Sequence, residues 1–294
     1  MSAASVYDDL VAPVLDWYAR HARDLPWRHP DASPWGVLVS EVMLQQTPVA
    51  RVLPAWDAWM QRWPTPGVLA ADSPGEAVRM WGRLGYPRRA LRLHAAATTM
   101  VGRHHGAVPS SAEELQALPG IGGYTAAAVA SFAYGHRHAV LDTNVRRVLG
   151  RALRGQALPG PSPQAAERRL AETVLPEHPA TAARWSVAAM ELGALVCTAR
   201  APRCGSCPVA DVCTWWLSGR PAYEGPVRRQ TYAGTDRQVR GRLLAVLRGA
   251  DGAVPRGALD AAWDEPVQRE RALDGLIADG LVEPLADGTY QLPA

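Results

Sequence analysis

The sequence predicts an all-α chain ending in a small winged-helix-like unit, and three observations carry that expectation. Apolar residues recur at helical spacing from residue 6 to residue 135, strand-like alternation is nearly absent there, and Pro or Gly stands at the breaks. The 294 residues are 48% hydrophobic, enough for one large or two modest domains. No run of about 18 apolar residues occurs, and MSAASVYDDLVAP lacks a basic segment followed by an apolar one. Membrane spanning and secretion are therefore not expected, and a cytoplasmic protein is.

Taken in order, VYDDLVAPVLDWYARHA, WGVLVSEVMLQQ, VLPAWDAWMQRW, SPGEAVRMWGRL, RRALRLHAAATTMVGRHH and TAAAVASFAYG each place apolar residues three and four apart. Trp63-Pro64-Thr65-Pro66-Gly67 and Leu84-Gly85-Tyr86-Pro87 punctuate them. A second helical set, PQAAERRLAETVL and TAARWSVAAMELGALVC, leads into a cysteine cluster, and residues 221–235 read as a linker. Residues 236–294 read as three helices, Gln238–Arg248, Arg256–Trp263 and Glu265–Asp279. Leu281-Val282-Glu283 and Thr289-Tyr290-Gln291-Leu292 then pair around Asp287-Gly288, a hairpin signal. Three helices and a β-wing suggest a winged helix. Its negative net charge and acid-rich third helix favour packing or protein contact over reading DNA.

All 31 basic side chains are arginine; no lysine occurs anywhere in the chain. Chemistry that needs a lysine side-chain amine is excluded. The net charge of +3 is uneven, with 22 arginines against 17 acids through residue 220 and 9 against 11 beyond it. That surplus is compatible with a nucleic-acid partner and too small to demonstrate one.

Cys197, Cys204, Cys207 and Cys213 follow the spacing C-x6-C-x2-C-x5-C with no histidine among them. Four cysteines in one loop suit a metal centre in a reducing compartment better than disulfides spread along a secreted chain. Structural zinc more commonly uses two short pairs or a Cys/His mixture, so the spacing favours a [4Fe-4S] cluster over zinc. Ala117-Leu118-Pro119-Gly120-Ile121-Gly122-Gly123-Tyr124-Thr125-Ala126 is a Gly-rich turn between two helical runs and resembles a helix-hairpin-helix DNA-binding element, whose exposed amides can hold a phosphate. A tight αα-hairpin whose glycines only satisfy positive φ accounts for it equally well. Glu41 in SEVMLQQT and Asp142 in VLDTNVRR are carboxylates far apart in sequence. Taken singly, they read as an exposed helix residue and a helix cap.

Together, SEVMLQQT, WGRLGY, LPGIGGYTAAAVASFAYG, LDTNVRRVL and MELGALVCTARAPRCGSCPVADVC resemble, in order and spacing, the helix-hairpin-helix DNA glycosylases with a [4Fe-4S] cluster, specifically the MutY-type adenine glycosylases. The resemblance covers residues 6 to 220. It implies a helix-hairpin-helix glycosylase region over 1–220, with a six-helix-barrel-like part over 28–140 and a cluster part from 1–27 and 141–220. The partner it implies is double-stranded DNA with A:8-oxoguanine or A:G mismatches, met by a monomer in the bacterial nucleoid. The four cysteines would hold the cluster.

The family's site residues have counterparts in this chain. The carboxyl matching Glu41 protonates adenine at N7 and assists water, and that matching Asp142 stabilises the cationic sugar or traps it covalently. Asn144 and Tyr124 match positions that orient these groups and the base. Gln46 and Tyr86 match intercalating residues that fill the gap left by a flipped base. Gln45 and the hairpin residues Gly120, Gly122, Gly123 and Thr125 complete the implied DNA contacts. Where endonuclease III-like relatives place a strand-cleaving lysine, this chain has Tyr124, which implies a monofunctional glycosylase.

The chain also departs from the pattern. Pro87 stands where many relatives carry a second aromatic, and Pro48 is not the commonest residue at its place. The residues after the linker are too few and too helical for the β-rich, nucleotide-hydrolase-like domain that reads 8-oxoguanine in many relatives, so the implied form is a short one. A thymine glycosylase acting on T:G mismatches is the nearest alternative, opposed by SEVMLQQT. A catalytically silent DNA-binding protein is opposed by Glu41, Asp142, Asn144 and Tyr124 together, and a bifunctional lyase by the missing lysine.

Overall fold

The computed structural model describes residues 7–225 and 232–294. The first six residues, and 226–231 within the expected linker, lie outside the described residues. In chain order the helices are α1 (Ala12–His21), α2 (Pro34–Leu44), α3 (Val49–Arg62), α4 (Pro66–Ala70), α5 (Pro74–Trp81), α6 (Arg88–Arg103), α7 (Ala112–Gln116) and α8 (Gly123–Tyr134); six correspond to the runs expected from periodicity, and the five-residue α4 and α7 are additions that so short a stretch does not announce. They continue as α9 (Thr143–Arg154), α10 (Ala165–Thr173), α11 (Pro179–Leu195) and α12 (Thr214–Leu217). Several starts carry their own cap. Thr65 accepts from the Val68 amide at 3.4 Å, Ser73 from the Glu76 amide at 3.3 Å, and a proline follows each cap. Gly135 and Gly155 end α8 and α9 in the left-handed conformation that an L side chain resists. Among the described residues no helix is long and apolar enough to cross a membrane.

The chain folds as two compact units, each assembled from separate stretches of sequence. Among the described residues, the first comprises 7–37, 110–116 and 121–225. Its core joins Val14 and Trp17 of α1, Val145, Val148 and Leu149 of α9, and Trp185, Ala188, Ala189 and Leu192 of α11. The alanines on α11 let neighbouring helices approach closely, and Gly193 carries this furthest. A Cβ there would stand 2.6 Å from the Cβ of Asn144.

Among the described residues, the second unit comprises 38–109, 117–120 and 232–294. Trp59, Trp63 and Trp81 are fully buried in it. Trp59 meets the other two edge-on, with ring centroids 4.6 and 5.8 Å apart, contacts worth about 0.5–1.5 kcal/mol each beyond burial. The Trp63 indole N–H finds its acceptor in Asp72 at 3.1 Å.

The C-terminal residues form α13 (Asp236–Gly249), β1 (Val254–Pro255), α14 (Arg256–Asp260), α15 (Pro266–Ala278), β2 (Glu283–Pro284) and β3 (Thr289–Gln291). The strands make an antiparallel sheet in the order β1-β3-β2. This is the expected winged-helix arrangement, with one strand, β1, that two residues are too short to announce in sequence. It shares a compact unit with residues 38–109 because its ends grip α5 and α6. The Arg79 guanidinium donates to the carbonyls of Leu247, Arg248 and Ala250 at 3.3, 2.5 and 2.8 Å, capping the end of α13. Arg248 returns a bond to the Val78 carbonyl at 2.9 Å, and the Gly75 amide donates to Pro293 at 2.7 Å. Only glycine fits at 75, since a Cβ would lie 2.3 Å from the Pro293 oxygen.

Candidate active site

Helix α2 is buried at every position from Trp35 to Met43, and the one ionisable residue in that run is Glu41. With 6% of its surface exposed, it overturns the reading of an ordinary exposed helix residue. A carboxylate inside an otherwise apolar helix incurs a desolvation cost that a purely structural position would avoid.

Asp142 is the N-cap of α9, so the bland reading of this residue holds structurally. One carboxylate oxygen accepts from the Val145 amide at 2.6 Å and the other from the Asn144 side-chain amide at 2.6 Å. Burial pushes the carboxyl up from its ordinary value, against the pull of these hydrogen bonds and of the Arg147 charge. Capping therefore aims the group and supplies donors that favour its ionised form.

The same helix ties this carboxylate to the cysteine loop. Arg147, buried at 5%, donates to Asn144 Oδ1 at 2.7 Å, to the Gly193 carbonyl at 2.7 Å and to the Cys197 carbonyl at 2.6 Å. Asp142, Asn144, Arg147 and Cys197 thus form one continuous hydrogen-bonded chain. One turn on, Arg151 lies 4.3 Å over the Trp215 ring and donates to Cys197 Sγ at 3.3 Å and the Thr198 carbonyl at 2.8 Å.

Cys197, Cys204, Cys207 and Cys213 line one cavity together with Arg151, Trp215 and Trp216. Among the described residues no three such side chains converge on a single ion-sized point; the four sulfurs wall a cavity instead. Burial pushes the Cys207 thiol up to about 11 and raises Cys204 and Cys213, with the other cysteines adding repulsion. Four soft donors around one cavity, three of them pushed toward the neutral thiol, suit an iron-sulfur cluster, whose irons would supply the compensating cations. The four cysteines would hold the cluster, which would tie the loop together and fix Cys197 at the end of the hydrogen-bonded chain to Asp142.

The Gly-rich turn joins α7 to α8. Of its glycines, Gly120 has φ +76°, and a Cβ there would lie 2.6 Å from Arg92. Gly122 and Gly123 have no such reason. Neither has positive φ, a Cβ at Gly122 would meet nothing within 4 Å, and one at Gly123 only Gln116 Oε1 at 3.8 Å. Both are exposed at the start of a twelve-residue helix, where the bare backbone is open to approach from outside. Conformation and packing therefore account for Gly120 and leave Gly122 and Gly123 without a structural reason for being glycine. Tyr124 follows, partly exposed. Thr125 is 2% exposed, which sets it apart from the open Gly122 and Gly123 and argues against its place among the DNA contacts.

Gln46 and Tyr86 are exposed and have φ of +57° and +47°, a region that residues other than glycine seldom occupy. Two such residues on neighbouring loops are held there by cross-ties. Thr47 donates to the Leu84 carbonyl at 3.3 Å, and the Trp81 indole to Gly85 at 2.8 Å. Arg89, which sequence reasoning missed, donates to the Gln45 carbonyl and places its guanidinium 4.4 Å from the Tyr86 ring centre. His105 and Arg220 also have positive φ, so what sets Gln46 and Tyr86 apart is their placement on two loops tied to each other.

Sequence reasoning also missed Glu191, 0% exposed. Arg23 binds it through Nε and Nη2, both at 2.7 Å, and through its amide at 3.1 Å, and Arg28 stands 2.9 Å away. Arg23 and Glu191 are 168 residues apart, so no local pattern joins them. The available signal was a lone acid inside the apolar run of α11, two residues before the Gly193 that packs on Asn144.

Comparison with known proteins agrees with this geometry. Residues 39–176 match the HhH-GPD superfamily of base excision DNA repair proteins, and 197–213 match the iron-sulfur binding domain of endonuclease III. The chain is 55% identical over 282 residues to an adenine DNA glycosylase of Mycobacterium tuberculosis, covering 95% of this chain and 92% of that one. It is 52% identical over 285 residues to an adenine DNA glycosylase of Mycolicibacterium smegmatis, covering 96% of each. Among solved structures, a thermostable thymine-DNA glycosylase superposes with a TM-score of 0.65 at 25% identity, over 74% of this chain and all of that one. With nearly full-length likeness, the hairpin, the four-cysteine cavity and the buried carboxylate in agreement, this chain belongs to the adenine DNA glycosylase family of helix-hairpin-helix base excision repair proteins.

Proposed function

We propose that the protein removes adenine mispaired with 8-oxoguanine or guanine from double-stranded DNA, by hydrolysis and without cutting the strand. The observation that carries this reading is Glu41, the sole ionisable group on a buried stretch of α2. Adenine leaves poorly unless protonated, and a proton held by a carboxyl screened from water can be delivered to its N7. As the bond breaks, the sugar gains oxocarbenium character. Asp142, aimed by Asn144 and the Val145 amide, supplies the opposing negative charge, and Glu41 then takes a proton from the attacking water. No side-chain amine exists to form a Schiff base, so the reaction stops at an abasic site.

Reaching adenine requires that it leave the stack. Tyr86 and Gln46, exposed and strained, insert into the duplex, and the hairpin amides hold a phosphate. Gly123→Ala separates these demands. Its φ and surroundings accept a Cβ, so folding stability should hold or rise by about 0.4–1 kcal/mol. Duplex affinity should fall, because the new methyl stands where the phosphate approaches. Unchanged affinity in a titration at fixed salt would remove the hairpin from the interface.

The reading is tested by single-turnover cleavage of duplexes carrying 8-oxoguanine:A, G:A, 8-oxoguanine:C and G:T, each with and without alkali. Alkali-dependent breaks at adenine, faster opposite 8-oxoguanine, are expected. Equal rates opposite both partners would make it a general A/G-mismatch enzyme. Breaks only at G:T would assign it to thymine removal, and breaks without alkali would revive a lyase.

A further inference from the structure

We infer that the C-terminal winged-helix-like unit is a brace for the DNA-inserting segment, and that Asp279 and Arg88 are positioning residues for Tyr86; this rests on the wedge role proposed above for Tyr86. Among the described residues, helix α15 and its neighbour α14 do not present a basic face. Arg256 pairs with Asp260 and Glu270, Arg269 with Asp260 at 2.9 Å, and Arg271 with Asp236 at 2.7 Å. Helix α15, which a winged helix uses to read a groove, thus has its arginines matched by carboxylates of its own unit.

What the unit does contact is the segment that carries the wedge. Its C-terminal residues meet Gly75, the end of α13 is capped by Arg79, and the end of α15 meets the start of α6. At that third point Asp279 takes Arg88 on one oxygen at 3.0 Å and Arg240 of α13 on the other. Arg88 is the first residue of α6, two after Tyr86. The Arg89 amide donates to the Tyr86 carbonyl at 3.0 Å, so the orientation of α6 sets the direction of Tyr86. A residue at φ +47° needs support on both sides. Trp81 and Thr47 hold the loop before it, and Asp279 holds the helix after it.

The test compares single-turnover adenine release opposite 8-oxoguanine with release opposite an abasic-site analogue, where no base pair has to be broken before adenine leaves the stack. The ratio of the two rates reports wedge action, whereas a merely structural defect lowers both rates together. Asp279→Ala, and Asp279→Asn, which removes the charge at constant size, should each lower the ratio roughly three- to tenfold. The Arg88→Ala/Asp279→Ala double variant should match the worse single one, because both remove the same tie. Tyr86→Asn, which tolerates the left-handed backbone, serves as the reference. If Tyr86→Asn lowers the ratio and both Asp279 variants keep it, or slow both substrates equally, the brace is overturned while the wedge stands. If Tyr86→Asn itself leaves the ratio unchanged, the wedge reading fails and the brace with it.

Discussion

Glu41→Gln should leave duplex binding intact and slow adenine release in a single turnover by about 10²–10⁴-fold, the range that a positioned general acid contributes. Glutamine has nearly the same shape and keeps a hydrogen-bonding end, so α2, whose neighbours leave Glu41 only 6% exposed, loses no volume. What it cannot do is pass a proton to N7 or take one from water. The defect must therefore appear in the chemical step, with affinity and melting temperature close to wild type. A variant that releases adenine at the wild-type rate would place the acid elsewhere and leave Glu41 without a catalytic role. One that loses binding as well would mean Glu41 acts in the interface itself.

Glu191→Ala is expected to be the most damaging single change to stability, at about 3–5 kcal/mol for breaking a buried ion pair by removing one partner. The lower end is favoured, because the Arg23 side chain keeps 33% exposure and can rehydrate. Arg28, at 17%, is left more nearly stranded. The sign with pH follows from the carboxyl. Burial pushes Glu191 up, but the hydrogen bonds from Arg23 and the charge of Arg28 outweigh it and hold it below its ordinary value. The stabilisation is then fully present above the unfolded carboxylate value of about 4.3 and fades as pH falls through the folded one. Thermal midpoints of wild type and variant should differ at neutral pH by roughly 2–4 °C per kcal/mol and converge in acid. Coincident midpoints at neutral pH would show that the pair contributes nothing net.

Residues that work through local geometry were legible in the chain. The cysteine spacing marks a loop that the fold closes into one cavity. LDTNV marks a cap, and the structure makes Asp142 that cap. The Gly-rich turn marks a hairpin, although only Gly120 needs its glycine for conformation. Asp287-Gly288 marks the wing, which forms between β2 and β3. Residues that work through distant partners were not legible. Arg23 and Arg28 have no visible relation to Glu191 until α11 folds against the N-terminal segment. Arg89 is one arginine among 31 until it lies over Tyr86.

By itself the sequence determined the order of helices, the donor set for a cluster, the absence of a lysine nucleophile and the pair of carboxylates worth testing. Periodicity, capping and spacing act over a few residues, and a lysine that is not encoded cannot be supplied by folding. Tertiary structure alone decided that Glu41 is buried, that Asp142 is wired through Arg147 to Cys197, and that Gln46 and Tyr86 take a strained backbone. It also decided that the C-terminal unit grips the helix behind Tyr86. Burial, desolvation and strain depend on which distant segments pack together, and that is a property of the fold and not of any local stretch of chain.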